Sequence, residues 1–225
     1  IVNSSTKLDL NTNTTYNYQE LDVPANSSAY LIELKGLKGG HSGMDINLGR
    51  GNANKWMNRL FADLSSVESF RIASIDGGSL RNAIPRESRA VVVCASKDSD
   101  NFESIYVAST EKMLNQSKIN EPAAVFKIEP VDVPKKMMGH KDQTKIIATL
   151  YTVPNGVWSM SPSIPGLVET SSSLARVVLN EGEFTTQSLQ RSMSEVGKED
   201  VANAVRMGFE LMGAEVVQSG DYPGW

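Results

Sequence analysis

Gly36-Leu37-Lys38-Gly39-Gly40-His41-Ser42-Gly43-Met44-Asp45-Ile46-Asn47-Leu48-Gly49-Arg50-Gly51-Asn52-Ala53-Asn54 is the stretch whose backbone decides how the chain is laid out. Tyr30-Leu31-Ile32-Glu33-Leu34-Lys35 runs into it as a strand, and residues 56–64 run out of it with helical spacing. Six of its residues are glycine, which adopts backbone angles closed to other residues. Such a density marks irregular backbone or close approach to another group. His41 adds a ring that donates or accepts a hydrogen bond near neutral pH. Two readings stay open on residues alone: a strand-to-helix turn with an incidental surface histidine, or a loop built to approach a ligand. A nucleotide loop is not among them. Lys55 follows Asn54 rather than the glycine of a Walker loop, and Gly49 and Gly51 are followed by Asn54 where a dinucleotide fingerprint needs a third glycine.

Downstream, Trp56, Met57, Leu60, Phe61 and Leu64 recur at spacings of three and four, which puts them on one helical face. Phe70-Arg71-Ile72-Ala73-Ser74-Ile75 alternates as a strand ended by Gly77-Gly78, and residues 88–95 give the next strand after Pro85. Asp98 or Ser99 stands where a cap is needed for a helix whose face is Phe102, Ile105, Tyr106, Ala108 and Met113. Residues 123–128 read as another strand, with Pro130 and Pro134 beyond it. The order strand, helix, strand, strand, helix, strand is the ferredoxin-like βαββαβ unit, an antiparallel sheet with two helices on one face.

A boundary over residues 131–142 holds Pro134, Lys135-Lys136 and Gly139. After it come a helix at 143–151, strands at 168–179 and 183–193 hinged at Glu181-Gly182, and a helix at 198–212. A short strand at 214–217 closes the chain. This repeats the first order without an opening strand. The expected fold class is α+β: two ferredoxin-like lobes, residues 28–134 and 135–225, with an antiparallel sheet and helices on one face. Residues 1–27 read as a polar lead-in, either an edge strand or a flexible segment.

With 225 residues the chain can bury a core as one large domain or two small lobes. A net charge of −4 gives no reason to expect nucleic acid or an anionic membrane surface as a partner. No apolar run approaches the ~20 residues that span a bilayer. Residues 1–20 lack the basic start and apolar core of a signal peptide. The single cysteine, Cys94, lies in Ala90-Val91-Val92-Val93-Cys94-Ala95, reads as a core thiol and can form no internal disulfide. A cytoplasmic location is expected.

Gly40-His41-Ser42-Gly43 followed by Gly49 and Gly51-Asn52-Ala53 resembles the lid motif of the zinc-dependent aminoacylase, carboxypeptidase and dipeptidase superfamily. The longer run from Leu34 to Lys55 resembles the aminoacyl-histidine (Xaa-His) dipeptidase branch, also called peptidase D or cytosol non-specific dipeptidase. Gly77-Gly78-Ser79-Leu80-Arg81-Asn82-Ala83-Ile84-Pro85-Arg86-Glu87, Pro165-Gly166-Leu167-Val168-Glu169-Thr170-Ser171 and the ending Tyr222-Pro223-Gly224-Trp225 match the same branch in order. The resemblance implies a doubled ferredoxin-like lid. Single-unit lids of the superfamily pair between subunits, whereas a doubled lid can supply both halves in one chain, so a homodimer is an open expectation.

A zinc hydrolase needs about three protein ligands per metal. The candidates here are His41, His140 and Cys94, with no H-E-x-x-H or C-x-x-C, and His41 and Asp45 lie in a loop whose spacing fixes no common face. In the superfamily two zinc ions and the general base come from segments flanking the lid. The chain is therefore expected to be a lid that works with its own catalytic domain, holds no metal itself, and is inactive alone. The resemblance assigns His41 to stabilising the oxyanion, Asn82 to bonding the substrate backbone or carboxylate, and Arg191 to fixing the free carboxylate of a dipeptide. The rival class is a free-standing ferredoxin-like module for ligand binding or dimerisation, and a small hydrolase with His41 as base is a third. His140 is expected in a surface loop.

Overall fold

The structure, a computed structural model, describes residues 8–222. The first seven residues of the expected lead-in, and residues 223–225 of the quoted ending, lie outside them. The elements in chain order are β1 (Leu8–Asn17), β2 (Glu20–Asp22), β3 (Ser27–Lys35), β4 (Gly40–His41), α1 (Ala53–Leu64), β5 (Arg71–Gly77), β6 (Ala83–Ile84), β7 (Ser88–Ala95) and α2 (Ser99–Ser117). Then follow β8 (Val125–Val131), β9 (Lys136–Met138), α3 (His140–Thr152), β10 (Gly156–Met160), β11 (Val168–Asn180), β12 (Glu183–Ser192), α4 (Glu195–Met212) and β13 (Glu215–Tyr222).

Eight strands hydrogen-bond in the order β13-β1-β12-β11-β5-β7-β3-β8, and β10 adds to β11 as a ninth. Every pairing in this sheet is antiparallel. The four helices pack on one face, and their apolar sides meet Ile32, Leu34, Ile72, Val92, Val177, Leu179 and Phe184 in one continuous core. The α+β class with helices on one face is thus what the structure has.

The strand order carries a finding that the sequence reading lacked. The run β8-β3-β7-β5 places the last, first, third and second strands of a βαββαβ unit side by side. The run β13-β1-β12-β11 has the same order, with β1 as its opening strand. The second repeat does have a first strand: Leu8–Asn17, expected as an edge or lead-in, lies inside the sheet between β12 and β13. The whole first unit is inserted between β1 and α3. The units join antiparallel through β5 and β11, with Val177 opposite Gly77 and Leu179 opposite Ile75.

Why β1 reads poorly follows from its inward side. Thr12 and Thr14 are buried there, each satisfied across the sheet. Thr12 Oγ1 donates to Gln190 Oε1 at 2.7 Å, and Gln190 Nε2 donates to Ser172 Oγ at 3.2 Å. Gln218 Nε2 donates to Thr12 Oγ1 and to the Ala202 carbonyl on α4. A row of polar side chains spans four strands beneath α4, a place where an apolar pattern would be expected.

Smaller expectations are adjusted in the same way. Asp98 precedes α2 but accepts from Ser69 Oγ at 2.5 Å instead of capping the helix. Ala108 is exposed, and Ser109 and Thr110 take the buried positions of that helix. His140 is exposed as expected but opens α3 rather than sitting in a loop. Cys94 is a buried free thiol, and burial pushes its pKa up. Among the described residues no helix is long and apolar enough to cross a membrane.

Candidate functional site

The glycine-rich loop is closed at its base by one side chain. Buried Glu121, just after α2, accepts from Gly51 N–H and Lys38 N–H, each at 2.7 Å. A second brace lies inside the loop. Asp45 Oδ2 accepts from His41 N–H at 2.8 Å and pairs with Arg50 Nη1 at 3.1 Å, and Arg50 Nη1 also donates to the Gly39 carbonyl at 2.6 Å. At the far end Asn52 caps α1, its side-chain oxygen accepting from Asn54 and Lys55 N–H.

Within this frame His41 is oriented by its own loop. Its Nδ1 accepts from Gly43 N–H at 3.2 Å and Met44 N–H at 3.1 Å. A ring nitrogen that accepts bonds carries no proton, so the proton of the neutral ring sits on Nε2, as a donor. The backbone of His41 pairs with Ala83 in the two-residue ladder of β4 and β6. That ladder brings the Asn82 turn against the loop, where the Asn82 carbonyl accepts from Ser42 N–H at 2.9 Å. The Asn82 side chain is exposed.

Arg191 arrives from the other unit. Gln190 and Ser172 face α4, so by strand alternation Arg191 and its neighbour Ser171 face away from the helices. Asp9 is the direct partner of Arg191 across the β1–β12 ladder. Arg191 Nε donates to both Asp9 carboxylate oxygens, at 3.1 and 3.2 Å, and Nη1 donates to Ser42 Oγ at 2.6 Å. Gly43 lies directly on this side chain: a Cβ added there would stand 3.1 Å from Arg191 Cδ. Glycine is needed here for close approach, not for its backbone angles.

His41, Asn82 and Arg191 therefore meet around Ser42, although 150 positions separate the first from the last. Ser42 lies in the stretch that opens the sequence reading, yet that reading gave it no role. Asp9 and Glu121 were also missed, Asp45 was weighed only beside His41 as a metal ligand, and no local pattern marks the bonds these three make. An open groove of about 470 Å³ lies nearby, on the helix-free face, lined by Glu33, Lys35, Asp76, Arg86 and Arg89 among others. Neither His41, Asn82 nor Arg191 lines it. There burial opposes the charged form of Asp76, but Arg176 and Arg89 outweigh it and hold the carboxyl below its ordinary range.

The metal implied by the resemblance does not fit these residues. Among the described residues no three His, Cys, Asp or Glu side chains come together to hold an ion. His41 Nδ1 is committed to backbone N–H groups. What surrounds Ser42 is the His41 ring, the main chain of the Asn82 turn and the Arg191 guanidinium.

Residues 32–120 match the family described as Peptidase dimerisation domain. That segment includes the motifs around His41 and Asn82. Over 203 residues, 90% of the chain, it is 34% identical to the cytosol non-specific dipeptidase of Escherichia coli (strain K12), of which it covers 42%. The crystal structure of aminoacylhistidine dipeptidase from Vibrio alginolyticus matches with a TM-score of 0.94 and 35% identity, over 98% of this chain and 45% of that one. The chain spans less than half the length of these relatives, and the likeness extends through both units of the sheet.

Proposed function

We propose that this chain is the substrate-binding lid of a zinc-dependent dipeptidase that cleaves Xaa-His and other dipeptides in the cytoplasm. The observation that carries the reading is the convergence on Ser42, which bonds the Asn82 turn through its N–H and Arg191 through its hydroxyl while adjoining His41. The two dipeptidase relatives support the substrate class. Zinc is held by parts of the protein beyond this chain. The residues here act on the dipeptide.

Each has a separate task. Arg191 receives the free C-terminal carboxylate, because a planar fork of N–H groups matches two carboxylate oxygens. Asn82, exposed at the tip of its turn, bonds the substrate backbone. His41 Nε2–H donates to the scissile carbonyl and more strongly to the oxyanion that replaces it. The lid's own catalytic domain is its necessary partner, and the 225-residue chain alone turns over no dipeptide. The dimerisation-domain match supports a homodimer as a further partner.

The test is His41→Ala in the full-length protein. A donor used mainly in the transition state lowers kcat and kcat/KM together, by ~10²–10³, with KM nearly unchanged. Bound metal stays at the wild-type level. Loss of metal would make His41 a ligand, and an unchanged kcat would make it a turn residue; either result overturns the assignment.

A further inference from the structure

The proposed carboxylate site leaves a question that its geometry answers: how a flexible arginine is held ready for one mode of contact. Arg191 is 7% exposed and carries five N–H groups. Nε–H is engaged by Asp9 and one Nη1–H by Ser42. Among the described residues the other three, one on Nη1 and two on Nη2, have no protein acceptor. A carboxylate can meet a guanidinium along its Nε–Nη2 side or along its Nη1–Nη2 end. Asp9 occupies the side.

We infer that Asp9 is a positioning residue that locks the Arg191 fork so that only its Nη1–Nη2 end is presented to an incoming carboxylate, with Ser42 fixing the same fork from the His41 loop. This rests on the assignment of Arg191 to the substrate carboxylate made above. Asp9 sits on β1, an interior strand, directly opposite Arg191 in the ladder, so its Cα position is set by the sheet rather than by a loop. Asp9 anchors the guanidinium at Nε and Ser42 anchors it at Nη1, and two anchor points restrain its rotation. The arrangement also works against simple charge attraction. A carboxylate already beside Arg191 weakens its pull on a second one, so a site built only for affinity would omit Asp9. Its presence makes sense as orientation.

Three variants of the full-length protein separate these roles, assayed on a dipeptide with a free C-terminal carboxylate and on its C-terminal amide. Asp9→Ala is expected to raise KM for the acid about ten-fold, the scale of a lost positioning contact, with kcat within about two-fold. Its activity on the amide stays unchanged. Asp9→Asn keeps an oxygen for Nε–H and removes the charge, so it restores KM to near the wild-type value. Arg191→Lys abolishes the preference for acid over amide. If Arg191→Lys abolishes that preference while Asp9→Ala leaves KM for the acid within two-fold, the inference falls and the carboxylate assignment stands. Equal losses on acid and amide from Asp9→Ala also overturn it, by making Asp9 merely structural. If Arg191→Lys leaves the acid-to-amide preference intact, the carboxylate assignment itself fails.

Discussion

Truncating Glu121 to alanine removes both acceptors that close the base of the glycine-rich loop. The two bonds are not equivalent. Gly51 is buried, so its N–H is left without a partner, whereas the exposed Lys38 backbone recovers a bond from water. A hydrogen bond to a charged group contributes about 1.5–3 kcal/mol net, and a stranded buried donor costs about 1–3 kcal/mol. The expected loss for Glu121→Ala is therefore about 3 kcal/mol, with Gly51 carrying most of it. Equilibrium urea unfolding reads this as a midpoint shift of about 1 M, for a slope near the upper end of the usual range. Amide exchange gives the local reading, because Gly51 N–H loses its protection while the strands keep theirs. Glu121→Gln retains one acceptor and is expected to lose about half as much. A change below about 1 kcal/mol in Glu121→Ala, with Gly51 still protected, would show that the Asp45–Arg50 brace holds the loop by itself.

Two further outcomes follow from packing and charge. A Cβ at Gly77 would stand 1.9 Å from Asn54 Oδ1 and 2.7 Å from Ser88 Oγ. Gly77→Ala is accordingly expected to destabilise by about 1–3 kcal/mol, and an unchanged melting temperature would refute the tight fit between α1 and β5. Burial pushes the Lys55 ammonium down to about 8, while the carbonyls of Leu150, Tyr151 and Val153 accept from it near the end of α3. Above pH 8 the folded chain releases this proton and the unfolded chain keeps it, so stability contributed through Lys55 rises from about pH 8 toward the ordinary lysine range. The stability difference between wild type and Lys55→Met should change with pH across that window, and a pH-independent difference would refute it.

Where one side of an element is apolar, the chain was legible. The alternation of β3, β5 and β7 and the spacing of α1 and α4 follow from a face that must leave water. The hinge between β11 and β12 was also readable, since Glu181 and Gly182 adopt φ of 50° and 80°, the pair of positive angles that a tight hairpin turn requires. β1 was not legible, because its buried positions are Thr12 and Thr14, whose hydroxyls are matched by partners more than 170 residues away. Nor was β10, which adds to β11 and falls between the helix read at 143–151 and the strand read at 168–179. The site divides along the same line. His41 and Asn82 stand in motifs dense with glycine and proline. Asp9 and Glu121 act through long-range bonds that leave no period in the chain.

Insertion of one unit inside the other also sets an order in time. On a chain made from its N-terminus, β1 emerges before its neighbours β12 and β13, which follow only after the whole inserted unit, β3 through β8, has been made. That unit holds all four of its strands and both its helices in one continuous stretch, so it can close while β1 still waits in water. Leu-Asp-Leu-Asn-Thr-Asn-Thr-Thr-Tyr-Asn is well suited to the wait: an apolar strand with open edges would recruit other nascent chains, whereas threonine and asparagine keep it solvated until β12 arrives. Closing the sheet is then a late event in biogenesis, and the bond between Asp9 and Arg191, spanning 182 positions, marks its completion.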